Sequence, residues 1–176
     1  MNINFNPLSA EELVSRINKI PRIQLAQLPT ALEYAPNISK ELNINLYIKR
    51  DDCTALAFGG NKTRHLEFIM AKTLSGEYDC ILTGAASQSN FCRQAVAAAN
   101  KLNLDSYLVL MHGVKGKLMQ GNFLLYNILG ANVDVVEGEN LEDIPKHLDK
   151  KYDKLMKEGR KPLLIYGGFG EEDTTL

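Results

Sequence analysis

The 176-residue chain has no surplus of either charge, since 20 lysines and arginines face 21 aspartates and glutamates, leaving a net charge of −1. Without a basic surplus there is no electrostatic footprint for nucleic acid or an anionic membrane surface, and neither is expected as a partner. No apolar run approaches the ~20 residues that a membrane-spanning helix needs. The opening residues, Met1-Asn2-Ile3-Asn4-Phe5-Asn6-Pro7, lack the basic start and apolar centre of a secretion signal, so the expected compartment is the cytoplasm. Cysteine is sparse. Cys53, Cys80 and Cys92 are odd in number and widely spaced, with no C-x-x-C pair and no zinc-like spacing to His65, His112 or His147. No metal is expected, and the cysteines read as buried free thiols in a reducing compartment. Nucleotide signatures are missing as well. There is no G-x-G-x-x-G, and Gly60-Asn61-Lys62-Thr63 lacks the four-residue spacer of a Walker A loop. The acidic clusters at Asp51-Asp52 and Glu171-Glu172-Asp173 read as caps or solvent-facing groups, and the charges from Lys146 to Lys161 as a solvated helix face.

What remains is small-molecule chemistry or protein contact on an ordinary globular chain, 45% hydrophobic and 23% charged. Ser9-Ala10-Glu11-Glu12 is a capping box, and Leu13, Ile17 and Ile20 give the following helix an apolar stripe that Pro21 ends. Residues 22–36 carry Pro29 and Pro36 and read as extended and irregular, 38–42 as a short helix, and 44–49 as a strand. A ten-residue loop then leads to Lys62. From there the chain alternates: helix 63–74 with Leu66, Ile69, Met70 and Leu74 on one face, strand 80–84, turn 85–90, helix 91–102, strand 107–111, helix 118–129, strand 133–136, helix 141–158 and strand 162–166 running into Gly167-Gly168. Strands of four to six residues between helices predict an α/β fold, a three-layer αβα parallel sheet. The near-continuous apolar strands predict a sheet covered on both faces.

Two segments fall where such sheets bind ligands, beyond the carboxyl ends of strands and at helix N-termini. In Phe58-Gly59-Gly60-Asn61-Lys62-Thr63-Arg64, a glycine pair delivers a lysine to the start of a helix. The positive end of the helix dipole there disfavours an ammonium, which suits a Schiff-base lysine as well as an ordinary first-turn one. In Gly84-Ala85-Ala86-Ser87-Gln88-Ser89-Asn90, small residues and four polar side chains suit either a cradle for a carboxylate or phosphate or a simple helix cap. His65, one helical turn from Lys62, reads as a surface histidine.

In order along the chain, Leu28-Pro29-Thr30-Ala31-Leu32-Glu33, Leu46-Tyr47-Ile48-Lys49-Arg50-Asp51-Asp52, the Gly-Gly-Asn-Lys segment, Gln88-Ser89-Asn90-x-x-Arg93-Gln94, and Gly121-Asn122-x-Leu124-Leu125 to Gly130-Ala131 resemble the D-cysteine desulfhydrase and 1-aminocyclopropane-1-carboxylate deaminase family. These are fold-type II pyridoxal-phosphate enzymes, similar to the tryptophan synthase β subunit. The resemblance covers about residues 22 to 168. It implies pyridoxal 5'-phosphate as cofactor, Lys62 as the lysine that carries it, and Asn90 as hydrogen-bond partner of the ring hydroxyl oxygen. Ser89 would stand beside the substrate α-carbon or carboxylate, with Gln88 and Asn90 also on the substrate side. His65 occupies a position next to the expected phosphate site where the family usually has lysine, and Phe91 and Cys92 vary the usual turn.

The implied reaction is β-elimination from an amino acid, giving pyruvate, ammonia and sulfide. The alternatives are the cyclopropane-opening deaminase, or an inactive module that keeps the small-domain fold. Family members are considerably longer, and their glycine-rich phosphate cup lies in the second half. The resemblance therefore implies an incomplete tryptophan synthase β-like arrangement. Residues 1–48 would be the N-terminal segment of a large domain, 49–161 a small αβα domain carrying the Ser-Asn turn, and 162–176 the start of the return to the large domain. The first and last of these are expected to expose apolar surface, and hence to drive homo-oligomerisation or pairing with a second chain.

Overall fold

Apolar strand runs and one-sided helices assemble the middle of the chain into a four-stranded sheet sandwiched by helices. The computed structural model describes residues 8–112, 118–137 and 140–166. Gly167-Gly168 and the acidic cluster at 171–173 lie outside them, as does most of the expected 162–176 segment.

Helix α1 (Ala10–Ile17) begins at Ser9 with both halves of the capping box formed. Its apolar stripe is legible, yet none of its residues is buried, and Leu13 and Val14 are 49% and 55% exposed. Strand β1 (Leu32–Tyr34), helix α2 (Pro36–Leu42) and strand β2 (Tyr47–Lys49) follow. β1 corrects the expectation of an irregular 22–36, because a three-residue strand is too short to show a period of two. β1 and β2 pair antiparallel as a two-stranded ribbon with Tyr34 opposite Tyr47, their rings 5.3 Å apart.

The main unit comprises α3 (Lys62–Ile69), β3 (Cys80–Ala86), α4 (Asn90–Lys101), β4 (Asp105–Met111), α5 (Gly121–Ile128), β5 (Asn132–Val136), α6 (Ile144–Lys157) and β6 (Pro162–Ile165). The sheet order is β5-β4-β3-β6, and every pairing is parallel. Successive residues point to opposite faces of a strand. Ile81, Leu108 and Leu110 accordingly join Leu66, Phe91, Val96 and Tyr126 from α3, α4 and α5, together with Met70 just after α3, in one core. Leu82, Val109 and Met111 meet Ile144, Leu148 and Leu155 of α6 in the other. The three-layer αβα arrangement is therefore as expected.

Several bounds differ from the sequence reading. α3 stops at Ile69 and tightens into a 3-10 segment, Met70–Ser75, which turns Leu74 outward to 65% exposure before Gly76 ends it with a φ of 74°. α5 starts at Gly121 rather than 118, leaving Leu118 exposed. The long charged helix starts at Ile144, after a 3-10 turn at Leu141–Asp143. β6 ends at Ile165 rather than 166, and it pairs with β3. Of the cysteines expected to be buried, Cys80 and Cys92 are, but Cys53 is exposed in the loop before Lys62.

Candidate functional site

The loop before Lys62 is wound tightly. Two 3-10 turns, Asp51–Cys53 and Leu56–Phe58, precede the glycine pair, and Ala55, Ala57 and Phe58 all have positive φ (71°, 45° and 69°). Side-chain residues in that region cost of order 1–3 kcal/mol each and persist only where surrounding contacts over-determine them. Those contacts are present. Thr54 is buried, its Oγ1 donates to the Gly60 carbonyl at 2.9 Å, and the Gly60 N–H donates back to it at 3.0 Å. The Asp51 carboxylate receives the Arg64 guanidinium at 2.8–3.1 Å, and that hydrogen bond holds its carboxyl below the ordinary 3.8. Arg50 binds Asp52 and Glu33. Asp51 and Asp52 thus brace the loop rather than cap a helix, and Asp52 also faces solvent. Among the described residues no group of three or more His, Cys, Asp or Glu is placed to hold a metal.

The glycines are required by close approach. A Cβ on Gly59 would stand 1.8 Å from the Asp52 carbonyl oxygen, and one on Gly60 (φ +129°) would stand 2.4 Å from the Gln94 side-chain nitrogen. With these glycines in place the loop lies against α4. The Gly59 carbonyl accepts from Arg93 Nη2 at 3.0 Å and from Gln94 Nε2 at 2.9 Å, and Thr63 Oγ1 donates to Gln94 Oε1 at 2.6 Å. Lys62 is the first residue of α3, half-buried, and no side chain caps that helix. His65 sits on the exposed side, three residues on.

The other half of the site is the turn between β3 and α4. The strand runs to Ala86, and buried Ser87 ties the turn to β4 by donating its N–H to the Met111 carbonyl at 2.9 Å. Ser89 is the N-cap of α4, its Oγ accepting from the Cys92 N–H at 3.3 Å, while its carbonyl accepts from buried Tyr126 at 2.8 Å. Asn90 is exposed in the first turn of α4. Its Oδ1 accepts from Arg93 Nη1 at 2.8 Å and from Asn122 Nδ2 at 2.9 Å. Both ends of the Gln88 amide are engaged, Nε2 donating to the Gln120 carbonyl and Oε1 accepting from the Asn122 N–H. Beneath the turn, burial pushes the Cys92 thiol up to about 12, so it stays protonated and is no nucleophile.

The loop that leads into Lys62 and the turn that carries Gln88, Ser89 and Asn90 are therefore tied into one junction through Arg93 and Gln94. Sequence reasoning gave no role to the residues that hold this junction. Thr63, Arg93, Gln94 and Asn122 lie within the motifs and carry the cross-links, and Thr54 has no signal in the sequence. Glu67 was also missed. Its buried carboxylate accepts the Leu25 and Ala26 N–H groups, each at 2.9 Å, and pairs with Arg22, pinning the N-terminal segment to α3. A glutamate on the same face as Leu66 and Met70 was the available signal.

Against known proteins, residues 23–174 match the family model described as pyridoxal-phosphate dependent enzyme. A Pyrococcus horikoshii protein provisionally named 1-aminocyclopropane-1-carboxylate deaminase is 38% identical over 158 residues, 89% of this chain and 47% of that protein. A Klebsiella pneumoniae D-cysteine desulfhydrase is 36% identical over 156 residues, 86% of this chain and 47% of that protein. A crystal structure titled as an ACC deaminase homologue superposes with a TM-score of 0.82 at 37% identity, covering 89% of this chain and 47% of that one. The chain spans about half the length of the curated relatives it matches.

Proposed function

This chain belongs to the pyridoxal-phosphate dependent enzyme family, and from that premise we propose that it supplies one face of the active site of a lyase of the D-cysteine desulfhydrase type. The single observation that carries the reading is the joining of the loop that leads into Lys62 to the helix that follows the Ser89-Asn90 turn, through the Gly59 carbonyl, which accepts from both Arg93 and Gln94. The residues fit the cofactor. Lys62 stands half-buried at the start of a helix that no side chain caps, and Asn90 is exposed in the first turn of α4, a pair that suits an aldehyde and an acceptor oxygen. When bound, pyridoxal phosphate supplies an electron sink for negative charge at the substrate α-carbon. Lys62 would hold it through Nζ, Asn90 would donate to its ring oxygen, and His65 would lie on the phosphate side. Ser89 Oγ would hold or move a proton near the α-carbon. The N-terminal N–H groups of α4 receive the substrate carboxylate, with Gln88 shaping that wall from behind.

The products expected are pyruvate, ammonia and sulfide. A second reading, the cyclopropane-opening deaminase, is favoured by the naming of the Pyrococcus relative. The substrate is in either case a small amino acid. Among the described residues no helix is long and apolar enough to cross a membrane, and we place the protein in the cytoplasm without nucleic-acid partners. The exposed apolar side chains of residues 8–48, among them Leu13, Val14, Tyr34, Leu42 and Tyr47, support a large-domain role for that segment, completed by a second copy or a second chain. Assaying sulfide from D-cysteine and 2-oxobutyrate from 1-aminocyclopropane-1-carboxylate, with Lys62→Ala as control, tests the assignment. Lys62-dependent sulfide supports the first reading, Lys62-dependent 2-oxobutyrate alone replaces it with the second, and no Lys62-dependent product from either overturns both.

A further inference from the structure

We infer that Arg93, Asn122 and Gln88 form a positioning relay that fixes the side-chain amide of Asn90 with its NH2 facing the site, so that the turn offers a hydrogen-bond donor and selects an oxygen acceptor. This rests on the reading above for the identity of the ligand, but not for the orientation itself. An amide's two ends are interchangeable in shape, so orientation must come from partners that can only give or only take. Here every amide has one. Arg93 is donor-only, and its Nη1 lies 2.8 Å from one end of the Asn90 amide, which must be the oxygen. The same Nη1 lies 2.9 Å from Asn122, fixing that end too as oxygen, while the other end of Asn122 donates to the Gln88 backbone carbonyl at 2.7 Å, an acceptor only. Gln88 is fixed in turn by the Asn122 N–H on one side at 2.9 Å and the Gln120 carbonyl on the other at 3.1 Å. The three amides are thus mutually consistent, with Asn122 Nδ2 giving its second hydrogen bond to Asn90 Oδ1.

Two features show that the relay is built into the fold. Gly121 starts α5 at a φ of +56°, and a Cβ there would stand 2.6 Å from Gln88 Oε1, so the Gly-Asn pair is what lets α5 approach the turn. Arg93 also binds the Gly59 carbonyl, so the group that orients Asn90 anchors the lysine loop. With its oxygen taken twice, Asn90 has only Nδ2 left to offer, and among the described residues nothing accepts from it. A ligand presenting an oxygen acceptor, above all one carrying negative charge, is matched at this point, and a donor is refused.

The test has two arms on the full chain. In the first, amide exchange is measured by NMR on the ligand-free 15N-labelled protein. The NH2 groups of Asn122 and Gln88 are expected to exchange at least tenfold more slowly than that of Asn90, and a protected Asn90 with an exposed Asn122 would overturn the relay. In the second, Asn122→Asp keeps the side-chain shape but places an acceptor against Asn90 Oδ1 and the Gln88 carbonyl. Its affinity for pyridoxal phosphate is expected to fall about tenfold, with a displaced absorption band and a melting temperature within a few degrees of the parent. Parent-like affinity and spectrum would count against the relay. If the parent chain shows no Lys62-dependent band, the proposed function falls, while the exchange measurement still decides the orientation.

Discussion

The junction at Lys62 and the ribbon of β1 and β2 are held in opposite ways. At the junction, side chains far apart in sequence satisfy one another: Thr54 with Gly60, Thr63 with Gln94, Arg93 with Gly59, Asn90 and Asn122. In the ribbon, Leu32, Tyr34, Tyr47 and Ile48 are 48–64% exposed. The junction resists change because each group leaves several others unpaired when removed. The ribbon is held by its own backbone pairing and keeps its apolar side chains available for a partner.

That contrast can be broken at graded cost. The largest effect is expected from Glu67→Ala, which strands Arg22 and the Leu25 and Ala26 N–H groups. A loss of about 3 kcal/mol in urea unfolding is expected, chiefly because two buried N–H groups lose their acceptor. Gly60→Ala should follow at about 2 kcal/mol, since its Cβ meets the Gln94 amide at a backbone angle that disfavours side chains. Acid acts more locally. Asp51 has its carboxyl lowered by Arg64, so its contribution is present at neutral pH and is lost as pH falls below the ordinary 3.8. Proteolysis within 51–61 should therefore accelerate below that pH before the sheet melts, and an Arg64→Gln variant should lose this pH dependence. The smallest change in stability, within about 0.5 kcal/mol, is expected for Tyr34→Ser with Ile48→Ser. Light scattering should nonetheless show self-association falling in that double variant. Unchanged association would remove the ribbon from the proposed interface.

The same contrast explains what could be read without coordinates. The strands β3 and β4 were clear because Ile81-Leu82 and Leu108-Val109-Leu110 are apolar on both faces, a pattern set by burial between two helix layers. The stripe of α1 was equally clear, but periodicity says which face is apolar and not what covers it. β1 was too short to register, and the early end of α3 left no mark, since Leu74 continues the helical spacing while facing solvent. At the candidate site, the helix starts at Lys62 and at Ser89-Asn90 were legible from the glycines and small polar residues around them. The reason for those glycines was not, because it lies in Asp52, Gln94 and Gln88, brought close only by the fold. Arg93 and Asn122 were hidden for the same cause: a polar residue on a helix gives no sign of whether it bridges two segments or faces water.

The central claim is that Lys62 and the Ser89-Asn90 turn form one face of a pyridoxal-phosphate site. It is tested most directly by titrating the purified chain with pyridoxal phosphate and recording the visible spectrum before and after borohydride. The account predicts a saturable visible band that borohydride bleaches and that is absent from Lys62→Ala. A parent spectrum that is only the sum of free cofactor and protein, or a band that survives Lys62→Ala, would contradict it.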